Sequence, residues 1–353
     1  MGDRGREDAG GVTKSGGMRV VIDGRPLVGN RTGIGVHTAE IAKRLPFETI
    51  IASHKEIEDR DDLSNSSFCV LRSAFGVLWQ QTKLPHVDGD VLWGPHGTLP
   101  LASRIPSVIT LHDFTSITMP GRHRLKTILS FNVFIGASLE KASRVACVSR
   151  AVADEAMRGF GVPASKIELI PNGVDSFFSS EGEEGDYVLY AGTIEPRKGL
   201  NDLFEAWSAL PHPRPRLVLC GDAGWGMRVP DGVEVTGYVS RERLRELYRH
   251  ARAFVYPSHY EGFGIPPLEA MACGAPVIAT RTGAIPEYAE GVAELIAPGD
   301  VHALRTAITR VLRDATLRNE RRALGPQRAR AFGWDESARK MAALIRGTPW
   351  NTA

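Results

Sequence analysis

The stretch Ser-His-Tyr-Glu-Gly-Phe-Gly-Ile-Pro-Pro-Leu-Glu-Ala, from Ser258 to Ala270, decides the fold of this chain. The apolar run Ala253–Tyr256 precedes it and predicts a buried strand. The proline pair inside it predicts the start of a helix, because a missing N–H costs little at the first helical positions. A strand, a glycine-rich loop and a helix in this order are typical of a parallel α/β sheet.

Two carboxylates in this stretch, Glu261 and Glu269, flank a loop that suits a ligand. The loop consists of Gly262, Phe263, Gly264 and Ile265. Its glycines allow backbone N–H groups to approach a ligand closely, and the start of the following helix is an anion site. We expect Glu269 in the first helical turn, where it can accept hydrogen bonds from a ribose, and Glu261 in the loop, facing a second polar group. A phosphate between two hydroxyl-bearing rings, as in a nucleotide sugar, fits this pattern.

Length and charge narrow the class of protein. The 353 residues are too many for one ordinary core and predict two domains. A formal net charge of +2 with 24% charged residues does not indicate nucleic-acid binding. No apolar run approaches the roughly 20 residues that span a bilayer.

The N-terminal segment and the cysteines predict the cellular compartment of the protein. Residues 1–17 are rich in Gly, Asp and Arg without an apolar run, which predicts a disordered leader rather than a signal peptide. The cysteines are scattered and form no metal-like or C-x-x-C pair: Cys69, Cys147, Cys220 and Cys273. We therefore expect a reduced, cytoplasmic protein without disulfides.

Short apolar strands alternate with helical stretches along nearly the whole chain, which predicts parallel α/β sheets. The strands predicted in the first half are 19–23, 49–52, 91–93, 107–111 and 144–148, with helices at about 35–45, 125–142 and 150–158. Those in the second half are 187–191, 216–220, 233–236, 253–256 and 276–279, with helices near 200–209, 241–250, 267–273 and 301–315. Two doubly wound sheets would face a cleft at the carboxyl ends of their strands.

This rhythm divides the chain into two Rossmann-like domains. We place the first at 18–178 and the second at 187–333, joined by a linker at 179–186 within an acidic, Gly/Ser-rich stretch. The last segment, 334–353, begins a helix after the second sheet is complete, and we expect that helix to cross back to the first domain.

Six segments, in order along residues 19–340, together resemble the retaining glycosyltransferases of family 4. They are Thr32–Gly35, Leu111–Phe114, Val148–Arg150, Ile170–Asp175, Gly192–Gly199 and the Glu261–Glu269 stretch. The resemblance implies the GT-B fold, with an acceptor-binding N-terminal domain and a nucleotide-sugar-binding C-terminal domain. His112-Asp113 and Met119-Pro120 look most like mannosyl- or rhamnosyltransferases of cell-surface polysaccharide assembly.

Arg197 and Lys198 follow a strand and the Gly192-Thr193 turn. On a loop, two adjacent cations can reach one diphosphate, with Arg as a bidentate fork and Lys as a mobile point charge. An arbitrary Arg-Lys pair is more often a solvated surface pair. The resemblance instead implies that these two residues stabilise the departing nucleoside diphosphate.

His112 ends an apolar strand and should project at the carboxyl edge of its sheet, where active-site groups collect. A structural or capping histidine is the alternative; the resemblance implies a contact with the donor sugar near the reacting carbon. Gly33 and Gly35 open the first helix and do not form the dinucleotide fingerprint, so NAD binding is not predicted. By resemblance they lie against the donor phosphate and the acceptor, although a tight strand-to-helix turn explains them equally well.

Loops after two further strands carry residues that, by resemblance, hold the base of the nucleotide. These are Asp222, Tyr238 and Val239. Asp222 is also a common turn former, so its role stays open.

Two charged segments are interpreted as surface features. Asp59-Arg60-Asp61 contains an Asp-x-Asp pattern, but no apolar strand delivers it to a site, so we predict no metal. The helix from Arg241 to Arg249 interleaves arginines with glutamates and reads as an exposed, ion-paired helix. A third charged cluster has two possible interpretations. It is either the start of a helix that packs into the core or a contact with an anionic membrane. It comprises Arg122, His123, Arg124 and Lys126.

The sequence thus predicts a retaining, metal-independent glycosyltransferase. It would move a hexose from a nucleotide-diphosphate sugar, with GDP-mannose favoured, to a glycan or lipid-linked acceptor, in the cytoplasm or at the inner face of the membrane. Two alternatives stay open: use of a UDP- or dTDP-sugar on a small-molecule acceptor, and a nucleotide-sugar 2-epimerase of the same fold. For Glu261, a covalent or ion-pair role toward the sugar is an alternative to hydroxyl binding. The oligomeric state is not predicted.

Overall fold

Two parallel sheets form the framework of the protein. The computed structural model describes residues 17–119, 131–222 and 226–348. The first sheet contains β1 (Arg19–Asp23), β2 (Glu48–Ser53), β3 (Ser66–Val70), β4 (Val91–Gly94), β5 (Ser107–Leu111), β6 (Arg144–Cys147) and β7 (Ile167–Leu169). The second contains β8 (Tyr187–Ala191), β9 (Arg216–Cys220), β10 (Val233–Gly237), β11 (Ala251–Tyr256), β12 (Val277–Thr280) and β13 (Glu294–Ile296). The predicted pair of Rossmann-like sheets is confirmed.

The strand order is the same in the two sheets and determines where each can bind a ligand. It is β3-β2-β1-β4-β5-β6-β7 in the first and β10-β9-β8-β11-β12-β13 in the second. In both sheets the order reverses beside the first strand, between β1 and β4 and between β8 and β11. Ligands of open α/β sheets bind at the carboxyl ends of the strands at such a reversal.

Helices cover the sheets and account for the long apolar runs of the central strands, which are buried on both faces. In the first half they are α1 (Gly33–Ala42), α2 (Gly76–Thr82), α3 (Thr115–Thr118), α4 (Ile135–Lys141) and α5 (Arg150–Phe160). In the second half they are α6 (Leu200–Ser208), α7 (Arg241–Arg249), α8 (Ile265–Ala272), α9 (Ile285–Ala289), α10 (Val301–Arg313), α11 (Ala315–Ala329) and α12 (Trp334–Arg346). Within the described ranges, no helix is long and apolar enough to cross a membrane.

The last helix, α12, packs on the first half of the chain. Trp334 is buried in the hydrophobic cluster that contains Val20 and Ile22 of β1. The Ser337 hydroxyl donates to the carbonyl oxygen of Pro171 at 2.6 Å, and the Arg44 guanidinium contacts Asp335 at 2.6 Å. The second half of the chain is therefore anchored to the first through its own C-terminal helix.

Three strands were not predicted, and all three are sheet edges. β3 and β7 border the first sheet and β13 borders the second. Most of their residues are only partly buried, so they lack the continuous apolar run that marks a central strand. Helices α2, α3, α9 and α11 were also not predicted. The leader through residue 16, and the cluster at residues 122–126, lie outside the described residues.

Candidate active site

A buried ion cluster lies where β8 and β11 end side by side. The Lys198 ammonium is 2.6 Å from Glu261 Oε1 and donates to the Tyr256 hydroxyl at 2.9 Å. The Arg197 guanidinium is 3.6 Å from the same Glu261 oxygen and 2.6 Å from Glu195 Oε1. Arg197 and Lys198 belong to a one-turn 3-10 helix, Pro196–Lys198, rather than to a loop, and both still reach one carboxylate.

The charges of this cluster depend on one another. Burial alone would raise the pKa of the Glu261 carboxyl, but Lys198 and Arg197 hold it below its ordinary value. Burial lowers the pKa of Lys198 and repulsion by Arg197 lowers it further, so the attraction of Glu261 does not restore the ordinary value. Burial would also lower the pKa of Arg197, but the carboxylates of Glu261 and Glu195 outweigh it and raise that pKa. Arg197 and Lys198 are thus held side by side in a buried site by two carboxylates. A more negative group can displace these carboxylates.

Close backbone packing brings the two loops of this cluster together. The backbone N–H of His259 donates to the carbonyl oxygen of Arg197 at 2.9 Å. Gly199 has a φ of 68°, and a Cβ there would overlap the carbonyl oxygen of Pro257. Only glycine fits this position, since it combines the left-handed region with a backbone contact.

Glu269 occupies the second turn of α8, so its predicted place in the first turn is wrong. The helix begins at Ile265, two residues earlier than predicted, because both prolines fit in the first turn, where no N–H is needed. The Tyr248 hydroxyl donates to Glu269 Oε2 at 3.0 Å. Burial raises the pKa of Glu269 to about 7, although Tyr248 and the Arg241 charge oppose the shift.

His112 follows β5 at its carboxyl end, and its backbone carbonyl contacts the loop at Gly262. Its Nε2 lies 2.9 Å from the carbonyl oxygen of Pro95, which can only accept, so Nε2 carries the proton and Nδ1 is an acceptor. Burial lowers the pKa of His112 to about 4 despite that carbonyl, and the nearby His96 lowers it further. The His37 ring packs edge-on against it, with ring centroids 4.7 Å apart. His112 is therefore a neutral, well-positioned imidazole.

The two domains touch through the loops that carry these residues. A Cβ on Gly262 would overlap the carbonyl oxygen of His112, so the two backbones are in contact. The Tyr260 hydroxyl donates to Glu155 Oε2 at 2.5 Å and accepts from the backbone N–H of Phe114 at 3.3 Å. The cleft between the sheets is thus bridged beside the ion cluster.

The predicted donor-loop glycines lie at the start of a helix in the first half of the chain and directly after a strand in the second half. Gly33 and Gly35 are in the first turn of α1, and a Cβ on Gly35 would press on the carbonyl oxygen of Pro26. Gly192 follows β8 with a φ of 143°, and its N–H donates to the carbonyl oxygen of Cys220 at 2.9 Å.

The predicted base-binding residues lie beside the Gly192 turn and outside the ion cluster. The backbone N–H of Ile194 donates to the carbonyl oxygen of Asp222 at 2.9 Å. Asp222 itself is exposed, as is Tyr238, with 73% of its surface accessible. Val239 is half-buried next to it. None of these three residues forms a described ion pair with the ion cluster.

Sequence reasoning missed four residues of the site: Glu155, Glu195, Tyr256 and Tyr260. Glu195 lies within a segment quoted above, and a carboxylate two residues before Arg197 was a usable signal. Tyr256 and Tyr260 carry no signal, because each acts through a partner distant in sequence.

The acidic segment at Asp59–Asp62, interpreted above as a surface feature, pairs with Arg31. Arg31 donates to Asp62 Oδ2 at 2.8 Å and to the carbonyl oxygen of Asp59 at 2.5 Å. In the described ranges, no group of three or more His, Cys, Asp or Glu side chains is arranged to hold a metal ion. Arg241, on the basic helix, pairs with Asp175 at 3.1 Å and is half exposed.

The two sheets, the shared strand order and the facing cleft define a GT-B glycosyltransferase. The family model for glycosyl transferases group 1 matches residues 173–328, and the model for Glycosyltransferase Family 4 matches residues 73–176. The O-antigen chain mannosyltransferase B of Escherichia coli is 30% identical over 90% of this chain and 97% of that protein. The chain belongs to glycosyltransferase family 4.

Two further comparisons agree with this assignment. The O-antigen chain mannosyltransferase RfbU of Salmonella typhimurium is 30% identical over 61% of this chain and 63% of its own length. The structure of Anabaena Alr3699/HepE in complex with UDP-glucose superposes with a TM-score of 0.75 at 21% identity, covering 93% of this chain and 99% of that one. The latter likeness concerns the fold.

Proposed function

We propose that this glycosyltransferase moves mannose from GDP-mannose to a glycan acceptor, with retention of configuration and without a metal ion. The observation that carries the proposal is the pair of buried cations, Arg197 and Lys198, on one carboxylate at the switch point of the second sheet. The preference for mannose rests on the mannosyltransferase relatives. A lipid-linked acceptor at the inner face of the membrane is part of the proposal.

Donor binding would exchange one set of ion pairs for another. The donor diphosphate carries more negative charge than either Glu261 or Glu195 alone, so Arg197 and Lys198 turn toward it, and Arg197 can form a bidentate pair. Glu261 is then free to accept hydrogen bonds from hydroxyls of the donor sugar. Because the site is buried, these interactions are stronger than they would be in water.

The ribose and the sugar are held by two acceptors of different kinds. Glu269 accepts hydrogen bonds from the ribose hydroxyls, beside the Tyr248 hydroxyl that already contacts it. The Nδ1 lone pair of His112 accepts from a hydroxyl of the donor sugar. A histidine with a pKa of about 4 is neutral at physiological pH, so it orients the sugar and supplies no proton.

Transfer follows from the charge that develops on the leaving group. As the anomeric C–O bond lengthens, the sugar becomes oxocarbenium-like, and Arg197, Lys198 and the backbone N–H groups at the start of α8 stabilise the departing diphosphate. The acceptor hydroxyl attacks from the same face, and a phosphate oxygen of the leaving group takes its proton. Contact between the domains at Gly262 and Tyr260 excludes water from this step.

The test is transfer from GDP-mannose, UDP-glucose and dTDP-rhamnose to an α-mannoside acceptor, in EDTA and in Mg²⁺, with the product linkage read by NMR. We expect an α-linked product from GDP-mannose at the same rate in both conditions. A β-linked product, activity only with Mg²⁺, or transfer only from another donor would contradict the corresponding part of the proposal. Conversion of the donor to its C2 epimer without acceptor would show the epimerase instead.

A further inference from the structure

A row of polar side chains continues from His112 along the carboxyl edge of the first sheet. His112 follows β5, His96 follows β4, Arg25 follows β1 and His54 follows β2, and these four strands are neighbours. Three strand spacings separate the ends of the row, roughly 14 Å. Binding of the donor and of the reacting acceptor hydroxyl does not require polar side chains over this whole distance.

Contacts join the part of the row at the ends of β1, β2 and β4. The Arg25 guanidinium lies 2.7 Å from Asp23 Oδ2 and donates to the Thr98 hydroxyl at 3.2 Å, which joins the ends of β1 and β4. A Cβ on Gly76 would lie 3.3 Å from the His54 ring and 3.4 Å from Arg25 Cδ, so both pack on the start of α2.

The row ends at a surface cavity of about 440 Å³. Its lining consists of His54, Lys55, Glu56, Arg72, Ser73 and Ala74. His54 Nδ1 is buried and has no hydrogen-bond partner among the described residues. A buried polar atom of this kind is stabilised when a ligand hydroxyl or a water bonds to it.

An exposed aromatic residue follows the cavity lining in the chain. Phe75 directly follows the lining residue Ala74, and 69% of its surface is accessible. The turn that carries it is held by a hydrogen bond in which the backbone N–H of Phe75 donates to Ser73 Oγ at 3.3 Å. An exposed ring next to polar side chains suits the apolar C–H face of a sugar, whose hydroxyls then reach the polar groups.

The charges of the lining distinguish a neutral ligand from a phosphate. Arg72 lies 3.5 Å from Glu56, and Arg25 is occupied by Asp23. Lys55 is the one lining cation without an ion pair to a described residue. A site for phosphate would hold several unpaired cations, so this lining favours hydroxyl groups.

We propose that this cavity, together with Phe75, is a remote acceptor subsite, named here the His54–Phe75 cavity. This inference rests on the proposed glycan acceptor. It binds one sugar ring of an oligosaccharide acceptor. This ring is several sugar units away from the hydroxyl that reacts near His112. Phe75 stacks on that ring, and His54 and Ser73 bond to its hydroxyls. The protein would thereby prefer an acceptor that is already a chain over a single sugar.

Saturation-transfer NMR and titration with methyl α-mannoside and α-mannose oligosaccharides of two to four residues, without donor, test this directly. We expect wild-type affinity to rise about tenfold from one residue to four, and Phe75→Ala to lose that gain while Phe75→Trp keeps it. Val133→Ala, which removes side-chain atoms from another exposed apolar residue of the same domain, should match the wild type. Phe75 is exposed, so its replacement should not unfold the protein.

Three results would overturn the subsite: equal affinity for all lengths, an unchanged length dependence in Phe75→Ala, or binding of phospholipid vesicles or inorganic phosphate that Phe75→Ala alone abolishes. Donor binding is followed separately by GDP titration of the same variants. If GDP fails to bind while the oligosaccharide gain persists, the proposed donor is wrong and the subsite stands. If GDP binds normally and no length dependence exists, the subsite alone is wrong.

Discussion

The two faces of the cleft differ in how they hold their polar groups. The C-terminal face carries full charges, with Lys198 and Arg197 paired to Glu261. The N-terminal face presents neutral imidazoles, because burial lowers the pKa of both His112 and His96 to about 4. The charged face suits a leaving diphosphate, and the neutral face suits hydroxyl groups. Under the proposed function, the C-terminal face holds the diphosphate of the donor, and the N-terminal face contacts hydroxyl groups of the donor sugar and of the acceptor.

Removing a charge from the C-terminal face should have the largest effect. We expect Lys198→Ala to lower kcat by at least about 100-fold, because the lost charge acts mainly on the departing diphosphate. Steady-state release of nucleoside diphosphate measures this. Arg216→Ala removes an exposed, ion-paired arginine from the same domain and should leave kcat unchanged. Near-normal turnover in Lys198→Ala would show that the cluster is structural.

Changing the neutral N-terminal face should lower activity less than changing the charged C-terminal face. His112→Ala removes one hydrogen bond to the donor sugar, and we expect kcat/KM to fall about tenfold. Since the pKa of His112 is about 4, the variant should keep the pH profile of the wild type between pH 6 and 8. If an inflection in this range disappears in His112→Ala, the histidine titrates there and the neutral assignment is wrong.

The contact between the faces should have a smaller effect still. Tyr260→Phe removes the hydroxyl that bridges Glu155 and the backbone of Phe114. We expect kcat to fall about threefold to tenfold, with GDP affinity unchanged, because closure of the domains and not donor binding is weakened. Tyr187→Phe removes a hydroxyl bonded within the C-terminal domain and serves as the control. Equal losses in both variants would argue against a role in closure.

Glu269 also affects a property other than turnover, the pH dependence of stability. Its carboxyl keeps a proton up to about pH 7 in the folded protein and releases it near 4.5 when unfolded, so wild-type stability falls as the pH rises between these values. We expect Glu269→Gln to flatten this dependence and to stabilise the protein at pH 8 by about 1–3 kcal/mol. Urea unfolding at pH 5 and pH 8 measures it, with the exposed Glu205→Gln as control. A steeper pH dependence in Glu269→Gln would reverse the sign assigned here.

The sequence could predict the fold because the central strands are continuous apolar runs. The edge strands β3, β7 and β13 are partly exposed, so their composition resembles that of loops. Glu261, Arg197 and Lys198 could be named because they share short motifs with local signals. Tyr260 could not, because its role depends on how the second domain faces Glu155 and Phe114 of the first. The start of α8 was misplaced because both prolines fit in a first helical turn, so they do not show whether the helix begins before them or at the second one.

The most direct measurement is thermal stabilisation by GDP, UDP, dTDP and ADP, in EDTA, for the wild type and Lys198→Ala. A nucleotide at 100 times its Kd adds about 2.7 kcal/mol, which raises the melting temperature by a few degrees for a chain of this size. We predict that GDP stabilises the wild type most and that Lys198→Ala loses most of that shift. Stabilisation by no nucleotide, or an equal shift in both proteins, would contradict a donor site built on Arg197, Lys198 and Glu261.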